Sequence, residues 1–222
     1  MTTDVAPQPP ARPRPLLRGW SHAIFLFVAL GSAIALLVHA PTVGAKVACS
    51  VYGFGVVAML TISTLYHRIL WSPVWKARWL KLDHTGIFLC VAGTYTPVLA
   101  IGLRGIIGTI GLIIVWGATA VGLFVEWWPE QRHRAFAHTF YLVMGWVAVL
   151  ALPPLWSRLG PDATLGIIAG GLLYTIGAVI HALKRPDPVP HVFGYHEIFH
   201  GFVIAALTVH YFTIWFFILP HA

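Results

Sequence analysis

Charge is scarce in this sequence. Only 9% of its 222 residues are charged, and just seven are acidic, where a soluble domain carries about a quarter. So low a charge content, with 58% hydrophobic residues and a mean hydropathy of +0.80, excludes an ordinary soluble enzyme and implies a membrane protein. Cysteine is also sparse. Cys49 and Cys90 fall inside apolar runs, which excludes a disulfide framework, and neither has metal-type partner spacing, so they fill space. The chain has no glycine-rich phosphate loop and no internal repeat, which removes the nucleotide-cradling and solenoid classes.

Long apolar runs are what the sequence has instead. Seven reach the roughly 18–20 residues needed to cross a bilayer, at 19–40, 44–66, 82–103, 105–126, 135–153, 164–183 and 197–219. The expected fold is therefore all-α, a polytopic seven-transmembrane helix bundle. Residues 1–18, "MTTDVAPQPPARPRPLLR", are too rich in proline for a helix and read as a disordered tail. Residues 19–222 read as one membrane domain. The run from Trp20 is long enough to be a span, so no signal cleavage is expected.

The net charge of +7 is a topology signal rather than a nucleic-acid footprint. Arg12, Arg14, Arg18, Arg68, Lys76, Arg78, Lys81, Arg132, Arg134, Lys184 and Arg185 fall on one side of the seven spans, and Lys46, Arg104 and Arg158 on the other. The positive-inside rule then places the N-terminus in the cytoplasm and the C-terminus outside, in the plasma membrane. The same patch can touch anionic lipid headgroups. In "WSPVWKARWLK", Trp71, Trp75 and Trp79 recur every four residues beside cations, which reads as an interfacial stretch.

Ionisable groups inside spans are costly and mark function. Ser63 and His67 close span two four residues apart, Asp83 opens span three, and His196 and His200 open span seven at i, i+4. All five lie at similar depth near one leaflet. Three imidazoles suit zinc, with an open fourth position in a catalytic site. Asp83 either holds a water on the metal or completes its coordination, and Ser63 either orients a ligand or donates to an oxyanion. His22, His39, His133, His181, His191 and His221 read as end or loop residues, His84 as an outer partner, and His138 and His210 as deeper in their spans. Glu126 reads as a local ion-pair partner.

"HEIFH" also spells H-E-x-x-H, the zinc metalloprotease signature. Val203 and Ala206 stand where a metzincin needs Gly and His. The 22 residues after His200 hold His210 and His221 but no carboxylate. An intramembrane protease therefore lacks its third ligand and is a remote alternative.

"STLYHR", "KLDHTGIFLCVAGTYTP" and "HEIFH", in this order on seven spans, resemble the hemolysin III family, which groups with the progestin and adipoQ receptors and more distantly with the alkaline ceramidases. The resemblance runs from Trp20 to Pro220. It implies a zinc ion near the cytoplasmic leaflet on His67, His196 and His200, with Asp83 holding the zinc water, Ser63 beside it, and Glu197 incidental. The long N-terminal domain of the adiponectin receptors has no counterpart, so a hormone-receptor role is not carried over. The expected activity is a metal-dependent, ceramidase-like hydrolysis of a lipid amide or ester, with a membrane lipid as substrate. The alternative is a non-catalytic zinc-stabilised receptor or regulator, or a cytolytic protein; no span carries a polar stripe along its length, which gives a pore little support.

Overall fold

The computed structural model describes residues 14–128 and 134–222, the side chains of 134–139 excepted. Arg12, Arg132, His133 and the side chains of Arg134 and His138 thus lie outside the described residues. Seven α-helices follow one another: α1 Trp20–His39, α2 Val43–Arg68, α3 Pro73–Pro97, α4 Gly105–Trp127, α5 Arg134–Trp146, α6 Leu152–Leu183 and α7 Tyr195–Thr213. No β-strand occurs among the described residues; Val189 and Phe193 form one isolated bridge. Local chemistry sets several of the boundaries. Thr42 caps α2 by accepting the Ala45 N–H at 3.2 Å, and Pro73 starts α3 where its missing N–H costs nothing. Beyond Pro97, which removes a backbone donor, α3 widens into a π-helical turn, Val98–Leu103.

Among the described residues, six stretches are long and apolar enough to cross a membrane: Trp20–His39, Val43–Arg68, Pro73–Leu103, Gly105–Trp127, Phe140–Leu183 and Tyr195–His221. Seven were expected. The difference is confined to Phe140–Leu183, where a 3-10 segment, Val147–Ala151, joins α5 to α6 without a loop. At 1.5 Å per residue these 44 residues would make a straight helix of about 66 Å, twice the hydrocarbon core. The stretch is not straight. Gly160 interrupts it with φ 79° and ψ −174°, a conformation open mainly to glycine. Packing also reverses along it. Phe140 lies against Phe88, the Tyr95 hydroxyl lies 2.7 Å from the Gly145 carbonyl, and Gly102 faces Leu155 and Leu159, so the first half runs parallel to α3. Gly166 then faces Thr213, Gly177 faces Phe199 and Phe202, and His181 faces His196, so the second half runs antiparallel to α7.

A second difference lies at the start of α3. The expected interfacial stretch 71–81 is not a separate element, because Pro73–Leu82 continues directly into the span. Trp71 stands outside the helix and folds back to stack on Trp79, with centroids 4.7 Å apart, while its indole N–H donates to the Leu65 carbonyl. The Trp-rich stripe is thereby closed onto the end of α2.

Large apolar side chains such as Ile24, Phe27, Ile34 and Val38 on α1, and Ile106, Ile113 and Phe124 on α4, face outward. An apolar exterior over a helical interior is what a bilayer demands, since every backbone polar group is satisfied within its own helix. Several intramembrane hydroxyls are satisfied in the same way. Thr94, Thr96, Thr119 and Thr213 each donate to a carbonyl one turn back.

The α2–α3 pair carries Ser63, His67 and Asp83, and glycine lets these two helices approach closely. A Cβ on Gly55 would lie 2.5 Å from the Leu89 carbonyl oxygen, one on Gly86 would lie 3.0 Å from Met59 Cα, and one on Gly93 would lie 3.1 Å from the Val51 carbonyl oxygen. These neighbours are backbone and cannot swing away. Gly55→Ala is therefore expected to destabilise the protein by about 1–3 kcal/mol through overpacking. Gly31→Ala, with open space around it, is expected to be neutral or to gain up to ~1 kcal/mol of helix propensity. Thermal melting in detergent checks the opposite signs.

Candidate metal centre

The C-terminal end of α2 and the start of α7 lie at the same end of the bundle, whereas Asp83 stands ten residues into α3 rather than at its start, because α3 begins at Pro73. His67 comes from the last turn of α2, and His196 and His200 from the first two turns of α7. Their rings converge. Centroids are 4.7 Å apart for His67–His196, 5.1 Å for His67–His200 and 4.6 Å for His196–His200. One ligand atom from each lies within 4.8 Å of the others, so the group could hold a metal ion. Tetrahedral zinc with Zn–N near 2.0–2.1 Å places nitrogens about 3.3 Å apart. His67 Nε2 and His196 Nε2 already stand 3.2 Å apart. His200 is buried, and its Nδ1 has no hydrogen-bond partner. Three imidazoles with a buried unpartnered nitrogen and no thiolate among them fit a borderline cation such as zinc.

Ser63 and Asp83 join this cluster through a residue given no role in the sequence reading. His22, on the first turn of α1, stacks on His200 with centroids 3.7 Å apart and planes 5° from parallel. Its Nδ1 lies 3.0 Å from Ser63 Oγ, and the Asp83 carboxyl group lies beside Ser63, close enough for the two side chains to interact. Ser63 has one proton to give. With an ionised Asp83 taking that proton, His22 donates from Nδ1 and leaves Nε2, which is buried and unpartnered, as a bare lone pair. The line Asp83–Ser63–His22 thus ends against a candidate ligand ring.

Glu197 occupies a different place from a protease base. It is buried, accepts the Gly194 N–H at 2.9 Å, and pairs with the Arg18 guanidinium. Both oxygens are engaged in holding the start of α7, so the protease reading loses its general base as well as its third ligand. Nor is Glu197 incidental to the structure, because it fixes the helix that presents His196 and His200. His181 packs its ring 5.1 Å from His196. One helix away, His84 Nδ1 lies 3.0 Å from Glu126 Oε1 in a buried pair joining α3 to α4 beside Asp83.

Comparison with known proteins identifies the family. The model of the family described as haemolysin-III related matches residues 11–211. The chain belongs to the haemolysin-III-related family. Among the relatives of this haemolysin-III-related protein is the hemolysin-3 of Bacillus cereus, 33% identical over 205 residues, covering 91% of this chain and 90% of that one. The hemolysin-3 homolog of Bacillus subtilis (strain 168) is 28% identical over 200 residues, covering 89% and 91%. The adiponectin receptor protein of Drosophila melanogaster is 26% identical over 218 residues, covering 86% of this chain and 48% of the receptor. With its apolar spans, the family places this protein in a membrane as a multi-pass chain.

Sequence spacing therefore located the three histidines, but it passed over His22, His181 and Arg18. The depth argument that united His67, Asp83 and His196 applies equally to His22 at the start of span one and to His181 near the end of span six. Arg18 was assigned to the tail. Residues 14–18 of that tail instead form a turn held against the 191–192 loop by Leu16 N–H to His191 O and Leu17 N–H to Val192 O, at 2.9 and 3.1 Å.

Proposed function

We propose that the protein is a zinc-dependent hydrolase of a membrane lipid amide or ester, with the histidine cluster at the cytoplasmic leaflet of the plasma membrane. The observation that carries this reading is the convergence of His67, His196 and His200 beside the Ser63–Asp83 pair on membrane-spanning helices. Bound there, a zinc ion would supply Lewis-acid polarisation of a carbonyl and acidify a water. Three neutral imidazoles hold the cation without cancelling its charge. Asp83 would accept a proton as general base and return it to the leaving amine or alcohol. Ser63 aligns the ionised Asp83, and once Asp83 has taken its proton the Ser63 hydroxyl hydrogen is released to donate to developing negative charge. A site near one end of the spans suits a substrate whose polar head reaches it while its tail stays in lipid. The orientation rests on charge: Arg14, Arg18, Arg68, Lys76, Arg78, Lys81, Lys184 and Arg185 gather at the cluster's end, against Lys46, Arg104 and Arg158 at the other.

The test is release of fatty acid from a panel of lipid amides and esters, followed by mass spectrometry, with purified protein in nanodiscs. Product is expected with zinc present and lost on chelation. Zinc retained without product from any lipid would favour a second reading, a zinc-stabilised receptor or regulator, which the receptor name of the Drosophila relative supports.

A further inference from the structure

The literal glutamate of "HEIFH" has a partner that neither the protease signature nor the hydrolase reading calls for. Arg18 Nε donates to Glu197 Oε1, and the Glu197 side chain is 3% exposed against 20% for Arg18. A carboxylate that deep needs its cation, because an unpaired buried charge is strongly destabilising. Glu197 lies between the two α7 histidines in sequence, and its second oxygen accepts the Gly194 N–H that opens their helix.

Arg18 belongs to a short strap, residues 14–19, fastened at several other points. Arg14 Nη1 donates to the His67 carbonyl at 2.9 Å, satisfying one of the carbonyls that α2 leaves unpaired at its end. Leu16 and Leu17 bond the loop that leads into α7. Gly19 turns the strap into α1 with φ 80°, so close to the cluster that a Cβ there would stand 2.7 Å from His67 Cβ. The Arg68 guanidinium covers the Trp20 ring at 4.4 Å. The strap thus ties the ends of α1, α2 and α7, the helices that carry His22, His67 and the α7 pair, over the end of the bundle where the cluster sits.

We infer that the Arg18–Glu197 pair is a latch that holds this strap across the histidine cluster and sets the rate at which the metal exchanges with bulk solution. Arg18 and Glu197 are positioning residues: neither ligates the metal, and both act through the α7 helix start and the strap. The inference rests on the proposal that the cluster holds zinc.

The experiment follows zinc release to a colorimetric chelator from the zinc-loaded full chain in nanodiscs, compared with Arg18→Gln, Arg18→Lys, Glu197→Gln and the Arg18→Gln/Glu197→Gln double variant. Glu197→Gln retains an oxygen for the Gly194 N–H, so the helix start is kept while the ion pair is broken. Each Gln variant is expected to release zinc roughly tenfold faster, in the range seen when partners beyond the ligands are removed. The double variant is expected to be no faster than either single, because both remove the same interaction. Arg18→Lys keeps the charge and is expected to stay close to wild type. Release at the wild-type rate from the Gln variants, additive effects in the double, or Arg18→Lys as fast as Arg18→Gln would each overturn the latch while leaving the zinc site standing. A wild-type chain that takes up no zinc would overturn both.

Discussion

Asp83→Asn is expected to lower turnover of a lipid amide by about 10²–10⁴-fold, the usual contribution of a positioned general base, without emptying the metal site. Asparagine preserves the size of the side chain and keeps an oxygen to accept from Ser63, so the Asp83–Ser63–His22 line survives in shape. What it removes is the ability to take a proton. The three imidazoles come from α2 and α7 alone, so zinc content should stay at the wild-type level. The two readouts divide the roles the sequence left open. Turnover lost with zinc retained makes Asp83 the base, whereas zinc lost along with turnover makes it a ligand. Unchanged turnover would remove Asp83 from the mechanism.

His200→Ala carries the largest expected effect on the metal. It deletes one of three nitrogens, the fully enclosed one, and leaves His67 and His196 as a two-point site. Loss of a partner outside the coordination sphere costs 10–100-fold in affinity, so loss of a ligand is expected to cost roughly a hundredfold or more. The variant also removes the ring on which His22 stacks, which frees His22 from one of its two supports. His39→Ala is the control. His39 is exposed at the opposite end of α1, against Trp215, and its loss should leave zinc content unchanged. Equilibrium dialysis against a zinc buffer reads both variants. Equal affinity in His200→Ala and wild type would place the metal elsewhere.

The helices were legible because bilayer physics writes them plainly: a run of about 20 apolar residues has few alternatives. The positions of α1, α2 and α4 agree with expectation to within one or two residues. The turn within Phe140–Leu183 was legible as well: Gly160 breaks the helix inside the 154–163 gap expected between spans five and six. What was not legible is the join at Val147–Ala151, where apolar residues carry α5 into α6 without a loop. The three histidines could be read because i, i+4 spacing and common depth are sequence properties. His22 obeyed the same depth rule, but a single histidine at a span end carries no spacing signal. Arg18 and Glu197 show a different limit. Their pairing joins residues 179 apart in sequence, and the proline-rich composition around Arg18 pointed to a tail. Glu197 sat inside a motif whose best-known meaning belongs to another chemistry, so its contact with Arg18 is visible only in three dimensions.

The central claim is that His67, His196 and His200 form one metal site, and zinc-edge X-ray absorption on the purified wild-type chain tests it most directly. The expected spectrum shows about one zinc per chain with nitrogen or oxygen neighbours at ~2.0–2.1 Å and the outer-shell pattern of imidazole rings. A chain without zinc, or zinc with sulfur neighbours at ~2.3 Å that only Cys49, Cys90 or methionine could provide, would contradict it.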